Sequence, residues 1–583
     1  MVDLLNIQAL SAGYGEAVVI QNVEDYRTKV AILLAEDGKF DKLDRDETRE
    51  REKKLQNKIS YLHNTVKIFD DVTYRRIMPT GSKAGIMYGL PKIHKEGNPI
   101  RPIISSIGTY TYELSKYLDE IIKPALSNDK FMCRDTVDFI SSISEEKLDN
   151  ENCMASFDVS SLFTNVPVKE TINIILDRCF ENKESKFHGL SRRQLKELLE
   201  LCVQKCIFKF NGEYYEQIDG VSMGNPLGPL FANMFMAELE KTHMKKLISL
   251  GVLFWRRYVD DIFVTLKTVP DAKKIQDYLN NIHPNIKFTT ENEKNQSIPF
   301  LDILIKKKRG RLHTEMYRKP TFTGVYLNWH SLTSKKYKTG LISCLLDRVY
   351  KICSEPENRD LEIKRIKSLL LKNNYPAQVL DDQIAKFVNK KNVIITYKID
   401  PMNGYKLGAT DVPYEETCYI KLPYSGPDVE NFSSKLEKLV NSNFKHVRLK
   451  VAFSAPSTIG SHFKFKDRII ELEKQSLIVY HIRCNECKED YIGKTERIFY
   501  YRIQEHQKAP KTGEISAIHQ HHLKTGHVID FTGAKILDRA DTDRKLQLKE
   551  LLHIDKRQPT LNKQLISQSE FRINVNIIGS KKK

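Results

Sequence analysis

No stretch of this chain approaches the roughly 20 consecutive apolar residues that a bilayer span requires. Residues 1–30 lack the basic-then-apolar order of a secretory signal. Cysteine is sparse and scattered, ten in 583 residues, which excludes a disulfide framework and favours a reducing, intracellular compartment. Acid is also short: 75 Asp and Glu against 93 Lys and Arg leave a formal charge of +18. Such an excess points to a polyanionic partner bound in a salt-dependent way, although a basic housekeeping protein carries the same sign. What is present is globular in balance, 40% hydrophobic and 29% charged. The length fits about three to four domains.

One stretch orders the rest. Arg257-Tyr258-Val259-Asp260-Asp261-Ile262-Phe263 places two adjacent carboxylates inside an apolar run. The β-branched and aromatic flanks predict two short strands with the pair at their turn. Like charges there resist burial unless a cation compensates them, and Mg²⁺ takes one or two carboxylates plus substrate phosphates. The plainer alternative is a solvated turn. Upstream, Cys153-Met154-Ala155-Ser156-Phe157-Asp158-Val159 alternates Ala155, Phe157 and Val159 on one face with Ser156 and Asp158 on the other. Two metals between such carboxylates can clamp both oxygens of an in-line phosphoryl transfer.

Asp158 with Tyr258-Val259-Asp260-Asp261 resembles motifs A and C of reverse transcriptases, and the chain over roughly residues 10–565 resembles the reverse transcriptase–endonuclease of Penelope-like retroelements. The resemblance implies an α+β fold: a right-hand polymerase (fingers, palm, thumb) joined to a small α/β GIY-YIG nuclease domain with a zinc-finger-like insertion. Its expected divisions are 1–70 leading into fingers, 71–330 fingers and palm, 331–400 thumb, 401–475 connector, 476–565 nuclease and 566–583 tail. The family usually has Asp-Lys-Gly where Gly13-Tyr14-Gly15 stands, and it carries more sequence upstream, so a shortened N-terminus is expected.

Along the chain, Asp37 to Asn57 is a dense charge run expected to be a solvated helix face. Tyr74-Arg75-Arg76-Ile77-Met78-Pro79, Tyr88-Gly89-Leu90-Pro91-Lys92 and Arg101-Pro102-Ile103 carry prolines and glycines that predict extended strands. By resemblance Lys92 and Arg101 hold the incoming nucleotide's phosphates; surface charge on a β ribbon is the alternative. Phe163, five residues past Asp158, sits where the family places an aromatic that clashes with a ribose 2′-hydroxyl, and otherwise is an ordinary core side chain. Residues 168–210 have helical spacing, with Cys202 and Cys206 four apart as buried cysteines or a metal pair. Gly220-Val221-Ser222-Met223-Gly224-Asn225-Pro226 resembles motif B, where Gly224 allows close approach to nucleotide and Asn225 replaces the family's commoner serine. Residues 298–305 and 316–321 predict strands; Tyr317, Arg318 and Lys319 match the primer side, or form a basic strand edge.

Prolines and glycines thicken over 401–427, as in a connector with short structured pieces. A new unit begins at Leu477, with Tyr480 and Tyr491 on two short strands, a helix bearing Arg502 and His506, and a later helix bearing Glu550. It resembles the GIY-YIG nuclease, with Ile478 at the motif's first glycine. That likeness implies that Glu550 binds one divalent metal, that Tyr480, Tyr491 and His506 surround the attacking water, and that Arg502 steadies the scissile phosphate. Cys484 and Cys487 with His521 and His527 are a structural zinc set, with His519 and His522 as alternatives for the third ligand and an unmetallated turn as the other reading.

The expected activity is RNA-directed DNA synthesis primed at a nick, with two Mg²⁺ (or Mn²⁺) on Asp158, Asp260 and Asp261, and with template RNA, a DNA primer or target duplex and dNTPs as partners. No membrane is involved, and the nucleus is the expected compartment. The rival expectations are priming from natural single-stranded ends such as telomeres, a nuclease with an RNA-binding polymerase-like half, and a silent nucleic-acid-binding relic.

Overall fold

The computed structural model describes residues 7–11, 18–35, 38–92, 97–126, 129–181, 186–399, 416–444, 446–455, 472–507, 516–540 and 543–562. Gly13-Tyr14-Gly15 and the tail 566–583 lie outside the described residues.

At the centre is a four-stranded antiparallel sheet ordered Phe288–Asn292, Cys153–Val159, Asp261–Leu266, Val252–Tyr258. Alternation along Cys153–Val159 buries Ala155, Phe157 and Val159 in a large core. That core is completed by the helices Val168–Cys179, Arg192–Val203 and Gly228–Ser249. The opposite face carries Met154 and Phe263 into a second core with Phe139 and Phe300. Asp158 and Asp261 share the parity of Met154 and Phe263 and stand beyond the last residues of that second core. The carboxylates therefore occupy the open end of a face whose other end is packed.

A five-stranded sheet ordered Phe40–Leu43, Glu213–Gln217, Cys206–Phe210, Gly85–Pro91, Ile100–Ser105 flanks the centre on one side. Beyond the central sheet lie the meander Ser297–Phe300, Ile303–Lys308, Arg311–Met316 and the helices Lys335–Ile352, Pro356–Lys372 and Ala377–Ile399. Ile342, Leu346, Ile366, Leu370 and Leu380 close these helices on a core of their own. The described part of 401–475 contains a βαβ unit: strands Glu416–Pro423 and Val447–Ser454 pair in parallel around the helix Pro427–Asn443. The C-terminal unit is a three-stranded antiparallel sheet ordered Asp490–Thr495, Ile478–Cys484, Ile529–Arg539, with the helices Phe499–Gln507, Ala517–Thr525 and Asp543–Arg557. No helix among the described residues is long and apolar enough to cross a membrane.

Several local expectations change. Residues 74–77 belong to a helix, Asp71–Ile77, because the Asp70 carboxylate accepts the Thr73 N–H at 2.7 Å and caps it. Helical spacing stops at Val203: Lys205 turns the chain at φ +53°, and Cys206–Phe210 continues as a strand. Cys202 therefore closes a helix and Cys206 opens a strand, with the Cys206 thiol donating to the Cys202 carbonyl. The charge run at 37–57 is not one solvated helix face, since Phe40–Leu43 is an edge strand and Glu52 and Leu55 are buried in the helix Thr48–Asn64. Pairing with Ile303–Lys308 ends at Met316, so Tyr317 to Thr321 is loop.

Candidate active sites

In the central sheet Asp261 is the register partner of Asp158, and the Asp260 carbonyl accepts the Val159 N–H at 3.1 Å. Directly paired antiparallel residues have Cα atoms about 4.5–5.5 Å apart. Three carboxylates distant in sequence thus meet at one point. Burial raises the Asp261 carboxyl to about 7, with Asp260 and Asp158 pushing the same way and Lys319 opposing. Asp260 is raised as well, chiefly by burial, against the pull of Arg101 and Lys92. Crowded, half-buried carboxylates of this kind form an oxygen donor set suited to divalent cations.

They line a cleft of about 920 Å³ whose wall also includes Lys92, Arg101, Phe163, Met223 and Lys319. Gly224 adjoins it, bridged to Ser105, and a Cβ there would lie 2.0 Å from the Ile104 carbonyl oxygen, so only glycine fits. The Val221 N–H donates to the Phe163 carbonyl at 2.8 Å, tying this loop to the segment after Asp158. Of the three residues expected on the primer side, Lys319 reaches the cleft. Tyr317 is half-buried, its N–H on the Asp302 carbonyl. The Arg318 guanidinium pairs with the largely buried Glu362 and lies near the Phe322 ring.

One residue here escaped the sequence reading. Arg257 is fully buried beneath the carboxylate turn. Its Nε donates to Glu240 at 2.8 Å and its Nη2 to the other Glu240 oxygen at 3.0 Å and to Asp129 at 3.1 Å. Its Nη1 donates to Asn233 at 2.9 Å and to the Val259 carbonyl at 3.2 Å. Val259 itself is left-handed, φ +55°, a conformation a β-branched residue rarely adopts. The signal was available: Arg257 alternates with Trp255 on the core face of its strand.

The C-terminal unit gathers a second cluster. The buried Tyr480 hydroxyl lies 2.7 Å from His506 Nε2 and accepts from Arg502 Nε at 3.0 Å. The Tyr491 and His506 rings stand 5.4 Å apart. Burial lowers the His506 pKa to about 3, helped by Arg502, so the imidazole is neutral. Its Nδ1 is buried without a partner. Burial raises Glu550 to about 7 against the pull of Lys494 and Arg502, and raises both tyrosines. A Cβ on Gly493 would fall 2.6 Å from the Tyr480 hydroxyl and 2.7 Å from the Tyr491 ring, so glycine is required. Ile478 is a fully buried strand residue paired with Thr495 and Arg539.

Beside it, ligand atoms of Cys484, Cys487, His521 and His527 all lie within 4.8 Å of one another, a set able to hold a metal ion. Cys484 Sγ stands 3.6 Å from His527 Nδ1, and Cys487 Sγ 3.5 Å from His521 Nε2. His521 Nδ1 faces Glu489 at 3.0 Å, an orienting contact common behind metal-binding imidazoles. His522 Nδ1 bonds the His527 carbonyl instead, and His519 is not in the cluster.

Residues 325–385 match the animal helix-turn-helix domain model. No curated protein matches the chain in sequence. Among solved structures, telomerase from Candida albicans in complex with the TWJ fragment of telomeric RNA aligns with 12% identity and a TM-score of 0.44, covering 67% of this chain and 66% of that one. Apo telomerase from Candida tropicalis aligns with 11% identity and a TM-score of 0.38 over 66% and 67% of the two chains. The Sicinivirus 3Dpol RNA-dependent RNA polymerase does so with 12% and 0.34 over 55% and 71%. The chain spans about two thirds of the length of these telomerase chains. Residues 93–326 match the model for reverse transcriptase (RNA-dependent DNA polymerase), a span that contains all three converging carboxylates. Those residues are a reverse transcriptase domain, with Asp158, Asp260 and Asp261 at the head of its central sheet.

Proposed function

We propose that the chain is the reverse transcriptase–endonuclease of a Penelope-like retroelement, acting in the nucleus by copying RNA from a primer that its GIY-YIG nuclease exposes in target DNA. The observation that carries this reading is the pairing of Asp158 with Asp261 in a cleft walled by Lys92, Arg101 and Lys319. The second cluster, Tyr480, Tyr491, Arg502, His506 and Glu550 on the same chain, supports the nuclease half.

Asp158, Asp260 and Asp261 would hold two Mg²⁺ ions, Glu550 one, and Cys484, Cys487, His521 and His527 a structural Zn²⁺. When bound, the magnesium ions draw charge from the phosphoryl oxygens. Lys92 and Arg101 grip the triphosphate, and arginine's fork suits paired phosphate oxygens. Phe163 lies on the cleft wall, where its ring excludes a ribose 2′-hydroxyl. Lys319 holds the primer strand against Asp261. The primer 3′-hydroxyl then gives up its proton to solvent and its oxygen bonds the α-phosphorus, the bridge to the β-phosphate breaks, and pyrophosphate leaves. In the nuclease, the water oxygen would bond the scissile phosphorus as its proton moves to the Tyr480 oxygen and the Tyr480 proton to His506 Nε2. The P–O3′ bond would break, the departing 3′-oxygen taking a proton from solvent; Arg502, bonded to Tyr480, would meet the phosphate.

Primer extension on RNA and nicking of supercoiled DNA, run side by side, test both halves. Asp260→Asn is expected to abolish synthesis and spare nicking; Glu550→Ala is expected to do the reverse. Undiminished incorporation by the first variant overturns the polymerase assignment, and undiminished nicking by the second overturns the nuclease.

A further inference from the structure

The segment 401–475 looks like a connector in sequence, yet its described part is an ordered βαβ unit fastened to the three-helix unit. The Lys335 N–H, in the first turn of the helix Lys335–Ile352, donates to Glu430 at 3.0 Å. The Phe453 N–H donates to the Tyr337 hydroxyl at 2.7 Å, and the two rings meet edge to face. A spacer needs no such fastening.

Register explains what the unit presents. Cys418, Ile420 and Leu422 pair with Leu449, Val451 and Phe453 on the face turned to the helix. The helix also closes the outer edge of the second strand, Asn441 accepting the Leu449 N–H at 2.7 Å and Glu437 the Val451 N–H at 2.6 Å. The opposite face alternates with it: Thr417 pairs with Arg448, Tyr419 with Lys450, and Lys421 with Ala452. Its described strand residues include Arg448, Lys450 and Lys421, and Tyr419 remains 52% exposed at its centre.

We infer that this face is a binding site for single-stranded nucleic acid, with Tyr419 stacking on a base and Lys421 and Lys450 meeting phosphates. An exposed aromatic between like-signed cations is the arrangement that binds unpaired strands with little sequence preference. A protein partner would need counter-charges and an apolar patch, and the face offers one ring among three cations. The unit is fastened to the helices that follow residue 334. The inference does not depend on whether either catalytic cluster is active.

The test uses the full-length protein with its cleft first saturated by a chain-terminated RNA–DNA hybrid. Fluorescent oligouridylate, oligothymidylate and a duplex of equal length are then titrated by anisotropy. Tyr419→Ala is expected to weaken single-strand binding roughly tenfold, and Tyr419→Phe to retain it. Lys421→Glu with Lys450→Glu is expected to lower the single-strand salt slope by about 1.4. Loss confined to oligouridylate assigns the site to RNA, loss confined to oligothymidylate to DNA, and loss in both to either strand. Unchanged single-strand affinity in both variants, or a loss seen only with duplex, overturns the proposal. Tyr419 and Lys421 are exposed, so circular dichroism of the variants should match the parent protein.

Discussion

Arg257 shows how a single side chain can govern the turn that carries Asp260 and Asp261 without lining the cleft itself. A buried guanidinium is costly to hold unless its donors are matched, and removal of one partner of such a pair costs about 3–5 kcal/mol. Here Glu240, Asp129 and Asn233 match them, and the remaining bond goes to the carbonyl of Val259, the residue before Asp260. Val259 sits in a strained backbone region that costs of order 1–3 kcal/mol, and the Arg257 contact helps hold it there. Arg257→Lys keeps the charge and loses the fork. Its expected effect is a fall in kcat for nucleotide addition of about 10–100-fold, with a rise in the Mg²⁺ concentration for half-maximal rate and unchanged affinity for primer–template. Magnesium titrations of extension rate check this. An unaltered magnesium dependence would mean that Arg257 serves the fold alone.

At the scale of elements, tight loops decide where the functional side chains point, and loops are where sequence patterns speak least. The strands carrying Asp158 and Asp261 were legible because alternation marks a half-buried strand, and the hairpin around Asp260 followed from its apolar flanks. Spacing cannot reveal that Arg318 pairs with Glu362, on a helix some forty residues later. The helix Asp71–Ile77 was hidden by the prolines and glycines that follow it. The ligand choice among His519, His521 and His522 depends on which face of Ala517–Thr525 turns to the cysteines, which periodicity alone leaves open. Two expectations follow for the C-terminal elements. Gly493→Ala should collapse nicking while extension continues, because the new methyl displaces Tyr480 or Tyr491. Zinc removal by a chelator should release the Cys484 end of its strand and lower the unfolding temperature of this unit, since structural metal sites contribute folding free energy directly. Metal analysis alongside calorimetry reads both the stoichiometry and the shift.

Across the whole molecule, the two clusters belong to units that touch. Glu52 of the helix Thr48–Asn64 is buried where it accepts from the Ser82 N–H at 3.0 Å, the Ser82 hydroxyl at 2.8 Å and, from the C-terminal unit, the Tyr501 hydroxyl at 2.9 Å. The Arg49 guanidinium lies 3.4 Å from the centre of the Tyr500 ring, a cation–π contact worth about 0.5–2 kcal/mol. Tyr500 and Tyr501 precede Arg502 on the same helix, so the helix that positions the Tyr480–His506 cluster also carries its attachment to the polymerase half. Contacts of this size hold units together weakly, and the covalent link between them raises their effective concentration. Arg49→Glu therefore leaves each active site intact while loosening the attachment. Extension of a supplied primer and nicking of supercoiled DNA should each proceed at the parent rate. Hydrogen exchange should quicken over residues 499–507, and the yield of extended product from an unnicked duplex should fall several-fold, because a strand end released by one unit must then diffuse to the other. If exchange quickens and the coupled yield holds, the contact between the units has no part in handing over the strand end.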